Sequence, residues 1–460
     1  MSFMTELAAL LDPAGILTGA QIDGYLLDNR RRYHGAAQAV VRPRSTAEVA
    51  AVMRLAHAHG VPVVPQGGNT GNCGAATPDD SGRAIVLSLE RMNRIREVDA
   101  DNNTITVDAG AIVADVQAAA RAAGRLFAAD WGAVGSARIG GALGTNAGGV
   151  NVLHYGNMRE LTLGLEVVLA DGTIWDGLRG LRKDNTGYDL KQLFIGSEGT
   201  LGVITAAVLK LSPQLSAQAT ALVALDTPSA AVTLLRGLQD QVGERVTSFE
   251  LISRRCWELL AEHCPELPQP FDAPPAWSVL VELSDGGSSV ALTERLAEAL
   301  FALGFDDALL AQSVTEAKDF WRLREHIPES QRRRGTSIKH DIAVPVSHIP
   351  AFMHEAEAAL RAAFADLDLV AFGHVGDGNL HYNVFLGDLS KAVYDHEPAI
   401  NAIVYEIVAR HQGTISAEHG VGQLKRDQLP LYRSEIELNL MRMIKAALDP
   451  LGIMNPGKVL

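Results

Sequence analysis

The sequence has the length and composition of a globular protein. Its 460 residues allow two or three domains, and 47% hydrophobic with 20% charged residues is not the balance of a disordered chain. The net charge of −14 disfavours nucleic acid and anionic membranes as main partners. We therefore predict no nucleic-acid partner.

Signals for export and membrane insertion are weak. The N-terminal stretch lacks a basic region before its short apolar run, and no apolar run approaches the ~20 residues of a membrane span. Cys73, Cys256 and Cys264 form neither a disulfide framework nor a CxxC metal site. We expect a cytoplasmic protein without a membrane span.

The first half of the chain alternates strands, helices and glycine turns. After a helical lead-in over residues 1–36, a strand at 39–43, a helix at 45–57 and a strand at 61–65 run into the glycine turn at 66–71. This order predicts a βαβ unit with a ligand loop at the carboxyl end of a strand. No GxGxxG motif opens a helix nearby, which disfavours a nicotinamide-binding Rossmann domain. Further on, Asp171-Gly172 predicts the turn of a hairpin.

A second glycine stretch, Ile139–Gly149, is the most unusual part of the sequence. It holds five glycines, and such a run is entropically costly unless a ligand must approach the backbone closely. Bare amides suit anionic oxygens, above all a pyrophosphate. A flexible surface loop is the alternative, but Ala142 and Leu143 interrupt the glycines and no serine-rich character appears. A third cluster at 196–202 strengthens the prediction of a phosphate-bearing cofactor.

The second half of the chain, from residue 218, repeats strand–helix pairs. The predicted pairs cover strands at 220–225, 246–252, 278–283 and 308–312, each followed by a helix. This pattern suggests an α+β domain of ferredoxin-like type, with its helices on one face of a mostly antiparallel sheet. Strands at 337–345, 367–373 and 380–386 follow, with helices at 350–365, 398–410 and 435–448.

Two histidines and a glutamate form a candidate metal site. His374 and His381 flank a turn between two predicted strands, so their imidazoles can meet across it, and Glu418 lies in a later glycine-bounded loop. Such a set binds divalent metals and leaves coordination positions open for a substrate. Asn383 shares the strand face of His381.

Arg324 and Lys339 lie in the segments that lead to this site. A guanidinium in bidentate geometry and an ammonium are what recognition of a carboxylate requires. On physical grounds alone, ordinary surface charge is an equal alternative for both residues.

Several motifs resemble known flavoproteins. Pro65–Gly71, Gly140–Gly149, Gly196–Gly202 and Asn455–Lys458 are similar to the vanillyl-alcohol oxidase/para-cresol methylhydroxylase (PCMH) superfamily. Phe372–Asn383, Ala417–Gly420 and Ser337–Ile342 resemble its D-2-hydroxyacid dehydrogenase branch, and most closely the D-2-hydroxyglutarate dehydrogenases. The resemblance covers nearly the whole chain from about residue 37.

This resemblance implies an α+β fold with two parts. A two-subdomain PCMH-type FAD-binding domain would span residues 37–215, and a ferredoxin-like antiparallel cap domain would span 216–412 and cover the isoalloxazine. A C-terminal helical segment at 413–460 would return to the FAD-binding domain.

The resemblance also implies roles for individual residues. His374, His381 and Glu418 would bind a divalent metal such as Zn²⁺, with His419 as the catalytic base. Arg324, Lys339, Asn383 and His419 would contact the substrate. The residues expected to bind FAD are Pro65, Gly67, Gly68, Asn69, Thr70, Gly71, Gly140, Gly141, Gly144, Thr145, Asn146, Gly148, Gly149, Glu198, Gly202, Val203, Ile204 and Asn455.

The activity implied is oxidation of a D-2-hydroxy acid, with hydride transfer to flavin N5 and electrons passed to an acceptor such as electron-transfer flavoprotein or a quinone. No histidine lies between Val61 and Asp80, so we expect non-covalent FAD. Pro328 stands four residues after Arg324, where the 2-hydroxyglutarate enzymes have a threonine that holds the distal carboxylate. D-lactate, D-malate or glycolate therefore stays open as substrate. A zinc hydrolase and a non-enzymatic flavin module are the alternatives of a different class, and a homodimer is possible.

Overall fold

The chain folds into two compact units in a computed structural model that describes residues 2–460. Unit 1 contains the chain up to Gly148, then Gly156–Gln214 and Glu418–Leu460. Unit 2 contains Gly149–Tyr155 and Leu215–Ala417. Each unit therefore draws on segments that are far apart in sequence.

The strands described in these residues are, in chain order, β1 (Ile16–Leu17), β2 (Ala39–Val41), β3 (Val63–Gln66), β4 (Ile85–Ser88), β5 (Ile95–Asp99), β6 (Thr104–Asp108), β7 (Arg125–Leu126), β8 (Thr162–Val168), β9 (Ile174–Gly177), β10 (Val203–Lys210), β11 (Ser212–Pro213), β12 (Ala217–Leu225), β13 (Val246–Ser253), β14 (Trp277–Asp285), β15 (Leu309–Leu310), β16 (Ile338–Ala343), β17 (Asp368–Gly373) and β18 (Asn379–Phe385).

The α-helices are α1 (Phe3–Leu10), α2 (Thr46–His59), α3 (Val113–Ala122), α4 (Ile139–Gly144), α5 (Val152–Tyr155), α6 (Lys191–Phe194), α7 (Pro228–Val242), α8 (Arg254–His263), α9 (Ser289–Ala302), α10 (Val314–Arg334), α11 (Ile349–Ala363), α12 (Glu397–Arg410), α13 (Leu429–Tyr432) and α14 (Glu435–Leu448).

Unit 1 begins with the predicted βαβ arrangement. Strands β2, β4 and β3 are parallel, and β1 adds an antiparallel edge. The Ser45 hydroxyl accepts from the Glu48 amide and so begins α2, which leads from β2 to β3. The glycine turn follows directly at the carboxyl end of β3. On its other edge, Val63 exchanges backbone hydrogen bonds with Ile453 and Asn455, so the last residues of the chain extend this sheet.

The second sheet of unit 1 is antiparallel, in the order β5-β6-β10-β8-β9. The hairpin predicted around Asp171-Gly172 is confirmed, because Val168 pairs with Ile174 across it. Gly172 adopts a φ of 81° there, which is the reason the turn requires glycine.

The resemblance implies that the second glycine stretch is a cofactor-binding loop, but its first six residues form the helix α4. Ile139, Ala142 and Leu143 follow helical spacing and are buried. Burial of this apolar face outweighs the poor helix propensity of the three glycines in the segment. The loop interpretation of residues 139–144 is therefore wrong, although the close backbone packing that it assumed is present.

Unit 2 is built on one antiparallel sheet in the order β15-β12-β14-β13-β17-β18-β16, as predicted for a cap of this class. Helices α8 and α10 pack on the face that carries Ile252 and Phe372. On the opposite face, Tyr382 contacts Phe352 of α11 and His340 contacts Tyr405 of α12. The expectation that the helices lie on one face is therefore wrong, because side chains on both faces are apolar and need cover.

Among residues 2–460, no helix combines the length and the apolar content needed to cross a bilayer.

Candidate active site

A cavity of about 590 Å³, part of which is open to solvent, lies in unit 1 where the three glycine clusters meet. Its lining residues are Pro65, Gln66, Gly67, Ala75, Ala76, Leu89, Gly140, Gly141, Gly144, Thr145, Ser197, Glu198, Gly199, Gly202, Val203 and Ile204. Ten of the predicted cofactor-binding residues are among them.

Two glycines show why the cavity needs bare backbone. A Cβ on Gly67 would lie 3.2 Å from the Gly141 nitrogen, so the first two clusters pack main chain against main chain. A Cβ on Gly141 meets nothing closer than 3.8 Å and would extend into the cavity. Exposed amides that converge on a concavity suit a pyrophosphate, so these residues fit the predicted FAD.

Other predicted cofactor residues lie outside the lining and support it instead. A Cβ on Gly68 would lie 2.1 Å from the Ser136 carbonyl oxygen, so that glycine is required by packing. The Asn69 amide donates to the Leu27 carbonyl at 2.8 Å, and Asn146 accepts from the Arg159 amide at 2.9 Å. Thr70, Gly71 and Gly148 also lie outside the lining, and Gly149 belongs to unit 2.

Glu198 ties the C-terminal segment to this cavity. Its buried carboxylate accepts backbone hydrogen bonds from Val421 at 2.7 Å and Gly422 at 2.8 Å. Its carbonyl accepts from the Asn455 amide, whose own Oδ1 is buried without a partner in the structure. Burial raises the pKa of Glu198 to about 7 although these hydrogen bonds favour the charged form.

The sequence reasoning missed six residues of the lining. Ala75 and Ala76 continue the first glycine cluster, and Gln66 begins it, so a wider reading of that cluster would have found them. Ser197 and Gly199 lie inside the third cluster. Leu89 has no polar group that would mark it as a ligand-binding residue, and only the pairing of the parallel sheet brings it to the cavity.

In unit 2, the two predicted metal-binding histidines come together. His374 follows β17 and His381 lies on β18, with ring centroids 5.6 Å apart and potential ligand nitrogens within 4.8 Å of one another. His381 pairs with Phe372 on one side and Asp341 on the other, so these side chains share a sheet face. The two imidazoles therefore meet across the turn, as the sequence indicated.

A buried glutamate connects His374 to Arg324. The Glu250 carboxylate is buried on β13, and its Oε1 accepts from His374 Nδ1 at 2.6 Å. Its Oε2 accepts from Arg324 Nε at 2.8 Å and lies 2.8 Å from Arg324 Nη2. Burial alone would raise the pKa of Glu250, but the charges of His374 and Arg324 outweigh it and lower the pKa to about 2.

Lys339 and Asn383, predicted to contact substrate, lie directly opposite each other on β16 and β18. Their side chains therefore share the face of Asp341 and His381. Lys339 is exposed, whereas Asn383 is buried and donates from Nδ2 to Gln331 Oε1 of α10 at 2.9 Å. Helix α10 thus supplies both Arg324 and the residue that orients Asn383.

Asp341 is a further residue of this face that the sequence reasoning passed over. The Asn379 amide donates to Asp341 Oδ1 at 3.0 Å, and the backbone oxygen of Asp341 accepts from the Ala417 amide at 3.2 Å. Ala417 is therefore fixed to β16, and Glu418 and His419 follow it directly in the chain. Its position two residues after Lys339 in a strand was the available signal.

The histidine nitrogens of unit 2 suit the binding of a metal ion. In the neutral imidazole, Glu250 keeps the single ring N–H proton of His374 on Nδ1, so Nε2 carries the lone pair that a cation can bind. A carboxylate behind a histidine ligand is the usual support for zinc-binding imidazoles. One signal for Glu250 was available in the sequence, because it is the single charged residue of a strand that is buried along its whole length.

Comparison with known proteins agrees with both units. The family described as "FAD binding domain" matches residues 37–177, and "FAD linked oxidases, C-terminal domain" matches residues 214–459. A D-2-hydroxyglutarate dehydrogenase of Stutzerimonas stutzeri is 37% identical over 100% of this chain and 98% of its own length. The mitochondrial enzyme of that name from Bos taurus is 37% identical over 99% of this chain and 83% of its own.

Solved structures show the same fold at low identity. p-Cresol methylhydroxylase with substrate bound superposes with a TM-score of 0.77 at 18% identity, covering 99% of this chain and 96% of its own. An alkyldihydroxyacetonephosphate synthase gives a TM-score of 0.75 at 19% identity, covering 99% and 84%. These likenesses confirm the predicted PCMH-type fold.

The family excludes the zinc hydrolase and the non-enzymatic module considered from the sequence. The chain belongs to the FAD-linked oxidases, and within them it is a FAD-dependent dehydrogenase that acts on a CH–OH donor.

Proposed function

We propose that this protein oxidises D-2-hydroxyglutarate to 2-oxoglutarate, using non-covalent FAD and a divalent cation, Zn²⁺. The observation that carries the proposal is the buried Glu250–His374 contact beside His381, on the sheet face that also bears Lys339 and Asn383. Arg324 of α10 contacts the same Glu250. A cation site and carboxylate-binding groups side by side suit a substrate with a hydroxyl next to a carboxylate. The names of the relatives point to the same substrate.

We assign the cation to His374, His381 and Glu418. Support comes from the two imidazoles within reach of one another and from Ala417, the residue before Glu418, whose amide donates to the Asp341 carbonyl of β16 beside His381. When bound, the cation would supply Lewis-acid polarisation of the substrate hydroxyl, and FAD would supply the acceptor for the hydride on C2. The protein's own part is to hold His374 through Glu250 and to place His381 beside it.

His419 is proposed to take the proton of the 2-hydroxyl. It follows a proposed ligand directly, so binding of Glu418 fixes its backbone while its imidazole stays available for the substrate. Lys339 and Asn383 would then orient a carboxylate, with Asn383 held in place by Gln331. A positioned general base contributes typically ~10²–10⁴ in rate.

Arg324 is proposed to bind a substrate carboxylate through the edge that Glu250 leaves open. Nε and Nη2 contact Glu250, so Nη1 is the remaining edge. Glu250 neutralises much of the arginine charge, which weakens its attraction for a distal carboxylate. Selectivity for a dicarboxylate would then depend more on Lys339 than the sequence suggested.

Non-covalent FAD is supported by the cavity itself. The sixteen residues that line it include no histidine, cysteine or tyrosine that could form a covalent bond to a flavin. Electron-transfer flavoprotein or a quinone is the proposed acceptor, and a homodimer and a cytoplasmic location stay predictions.

Pro328 favours a second candidate substrate, D-lactate or D-malate. It lies inside α10, four residues after Arg324, and offers no hydroxyl to a distal carboxylate. It also lacks the N–H that would bond to the Arg324 carbonyl. A substrate with a shorter tail needs no group at this position.

Anaerobic bleaching of the bound flavin tests the proposal. We expect D-2-hydroxyglutarate to reduce the flavin fastest in a panel with D-malate, D-lactate, glycolate and L-2-hydroxyglutarate. Faster reduction by D-lactate or D-malate would establish the second candidate. A flavin that none of these acids reduces would overturn the proposed function.

A further inference from the structure

Glu250 is a charged side chain with no role in the proposed reaction, yet it touches two residues that have one. It lies on β13, a strand buried along its whole length, and is 1% exposed. Its two oxygens contact different partners, Oε1 with His374 Nδ1 and Oε2 with the Arg324 guanidinium. Burial of a carboxylate destabilises the fold unless the interactions with its partners outweigh the lost hydration free energy.

For His374, the contact fixes which nitrogen faces outward. A carboxylate that accepts from Nδ1 keeps the proton there, so the lone pair stays on Nε2. The ring cannot rotate about its Cβ–Cγ bond without breaking a 2.6 Å hydrogen bond to a charged acceptor. The imidazole is therefore held ready for a cation before one arrives.

For Arg324, the same carboxylate fixes the plane of the guanidinium. Nε and Nη2 both point to Oε2, and the guanidinium carbon lies 4.8 Å from the centroid of the Phe372 ring. These contacts leave the Nη1 edge in one defined direction. His374 and Arg324 thus depend on a single residue that lies in a third element of the sheet.

We infer that Glu250 is a positioning residue that couples the cation-binding imidazole of His374 to the carboxylate-binding guanidinium of Arg324. The inference rests on the proposed function for the identity of the two ligands. Because Glu250 positions both the cation site and the carboxylate site, loss of Glu250 impairs both.

The alternative is that the ion pair of Glu250 with Arg324 only stabilises the fold. Glu282 provides the matched control for this alternative. Glu282 lies on the same sheet, on β14, and its Oε2 accepts from Trp321 Nε1 of the same helix α10 at 2.8 Å. Its side chain shares the sheet face of Glu250, because it pairs with Ser248, two residues earlier on β13. The hydrogen bond between Glu282 and Trp321 involves neither His374 nor Arg324.

The first measurement is Zn²⁺ affinity, determined by competition with a chromophoric chelator on FAD-loaded protein that has been freed of metal. Glu250→Gln is expected to weaken Zn²⁺ binding by ~10–100-fold, the usual cost of losing the group behind a histidine ligand. Glu282→Gln is expected to leave the affinity unchanged. Equal affinity in wild-type protein and Glu250→Gln would overturn the inference for His374.

The second measurement is KM at saturating Zn²⁺. Glu250→Gln is expected to raise KM for D-2-hydroxyglutarate, because Arg324 loses its fixed orientation, whereas Glu282→Gln is not. An unchanged KM would overturn the inference for Arg324.

A double variant covers the case in which Glu250→Gln does not fold because Arg324 is left buried without a counter-charge. Glu250→Leu with Arg324→Met replaces the ion pair by apolar side chains, an exchange that buried pairs often tolerate. It should still lose Zn²⁺ affinity, since His374 has no acceptor, and retained affinity would overturn the inference. Wild-type protein that binds no Zn²⁺ would instead overturn the proposed cation site, so the two failures are distinguishable.

Discussion

Glu198 accepts a hydrogen bond from the backbone amide of Gly422 at 2.8 Å, across 224 residues of sequence. Together with the bond from Val421 it fastens the segment that follows Glu418 and His419 to the wall of the FAD cavity. One side chain thereby connects the cofactor site of unit 1 with the loop that carries two proposed catalytic groups.

Replacement of Glu198 by alanine should loosen this loop and the cofactor. Two backbone amides lose their acceptor, and each buried one left unpaired costs about 1–3 kcal/mol. We expect a lower Tm and faster FAD release, followed by flavin fluorescence. Glu435→Ala, which removes an exposed carboxylate from the same C-terminal segment, is the control and should change neither. Equal Tm values for all three proteins would contradict the prediction.

The pH dependence of stability should reflect the raised pKa of Glu198. Between its ordinary value of 4.5 and about 7 the folded chain holds a proton that the unfolded chain has released. Wild-type stability therefore falls with rising pH in that window, relative to Glu198→Gln, and levels off above it. The full difference corresponds to about 3 kcal/mol. Thermal unfolding of both FAD-loaded proteins from pH 4.5 to 8 measures it, and parallel curves would show that the carboxyl is not perturbed.

Two glycine substitutions should separate cofactor binding from packing. Gly141→Ala places a methyl group in the cavity while improving a helical position, so the fold should hold, or gain up to about 1 kcal/mol, while FAD affinity drops. Gly68→Ala meets the Ser136 carbonyl oxygen and should destabilise the fold itself. Flavin titration and thermal unfolding of the flavin-free proteins distinguish them. A Gly141→Ala protein with undiminished FAD affinity would place the cofactor elsewhere.

Removal of the cation should stop turnover without disturbing the flavin. Chelation or His381→Ala is expected to abolish substrate oxidation, because the remaining ligands cannot hold the metal, while the flavin spectrum stays unchanged. His354→Ala, which alters an exposed histidine of the same unit, should retain full activity. Full-rate oxidation by the chelated wild-type protein would remove the metal from the mechanism.

His419→Gln should retain FAD and metal but reduce the flavin at least ~10²-fold more slowly, the lower end for loss of a general base. Stopped-flow reduction at saturating substrate isolates this step from binding. Near wild-type reduction would assign the base to another residue.

The sequence predicted the periodic elements well, because their signals are local. The capping serine of α2, the Asp-Gly hairpin and the bounds of α14 follow directly from turn and capping chemistry. Residues 139–144 were misjudged, since tertiary burial of Ile139 and Leu143 overrides the low helix propensity of glycine.

The candidate site was predicted unevenly for a physical reason. His374 and His381 are seven residues apart on either side of one turn, so their proximity follows from strand geometry. Glu250 lies 124 residues before His374 and joins it only through the pairing of β13 with β17. Long-range pairing of this kind leaves no pattern in a single sequence.

The backbone bonds that join Val63 to Ile453 and Asn455 have a consequence for synthesis of the protein. The parallel sheet beside the FAD cavity lacks an edge until residues 453–455 have left the ribosome, whereas every strand of unit 2 has by then been translated. Unit 2 can therefore fold while the chain is still being translated. Folding of unit 1 stays incomplete during that time, because β3 is unpaired on one side. We therefore expect FAD to bind after residues 453–455 have covered this edge, because an uncovered strand edge is open to incorrect pairing.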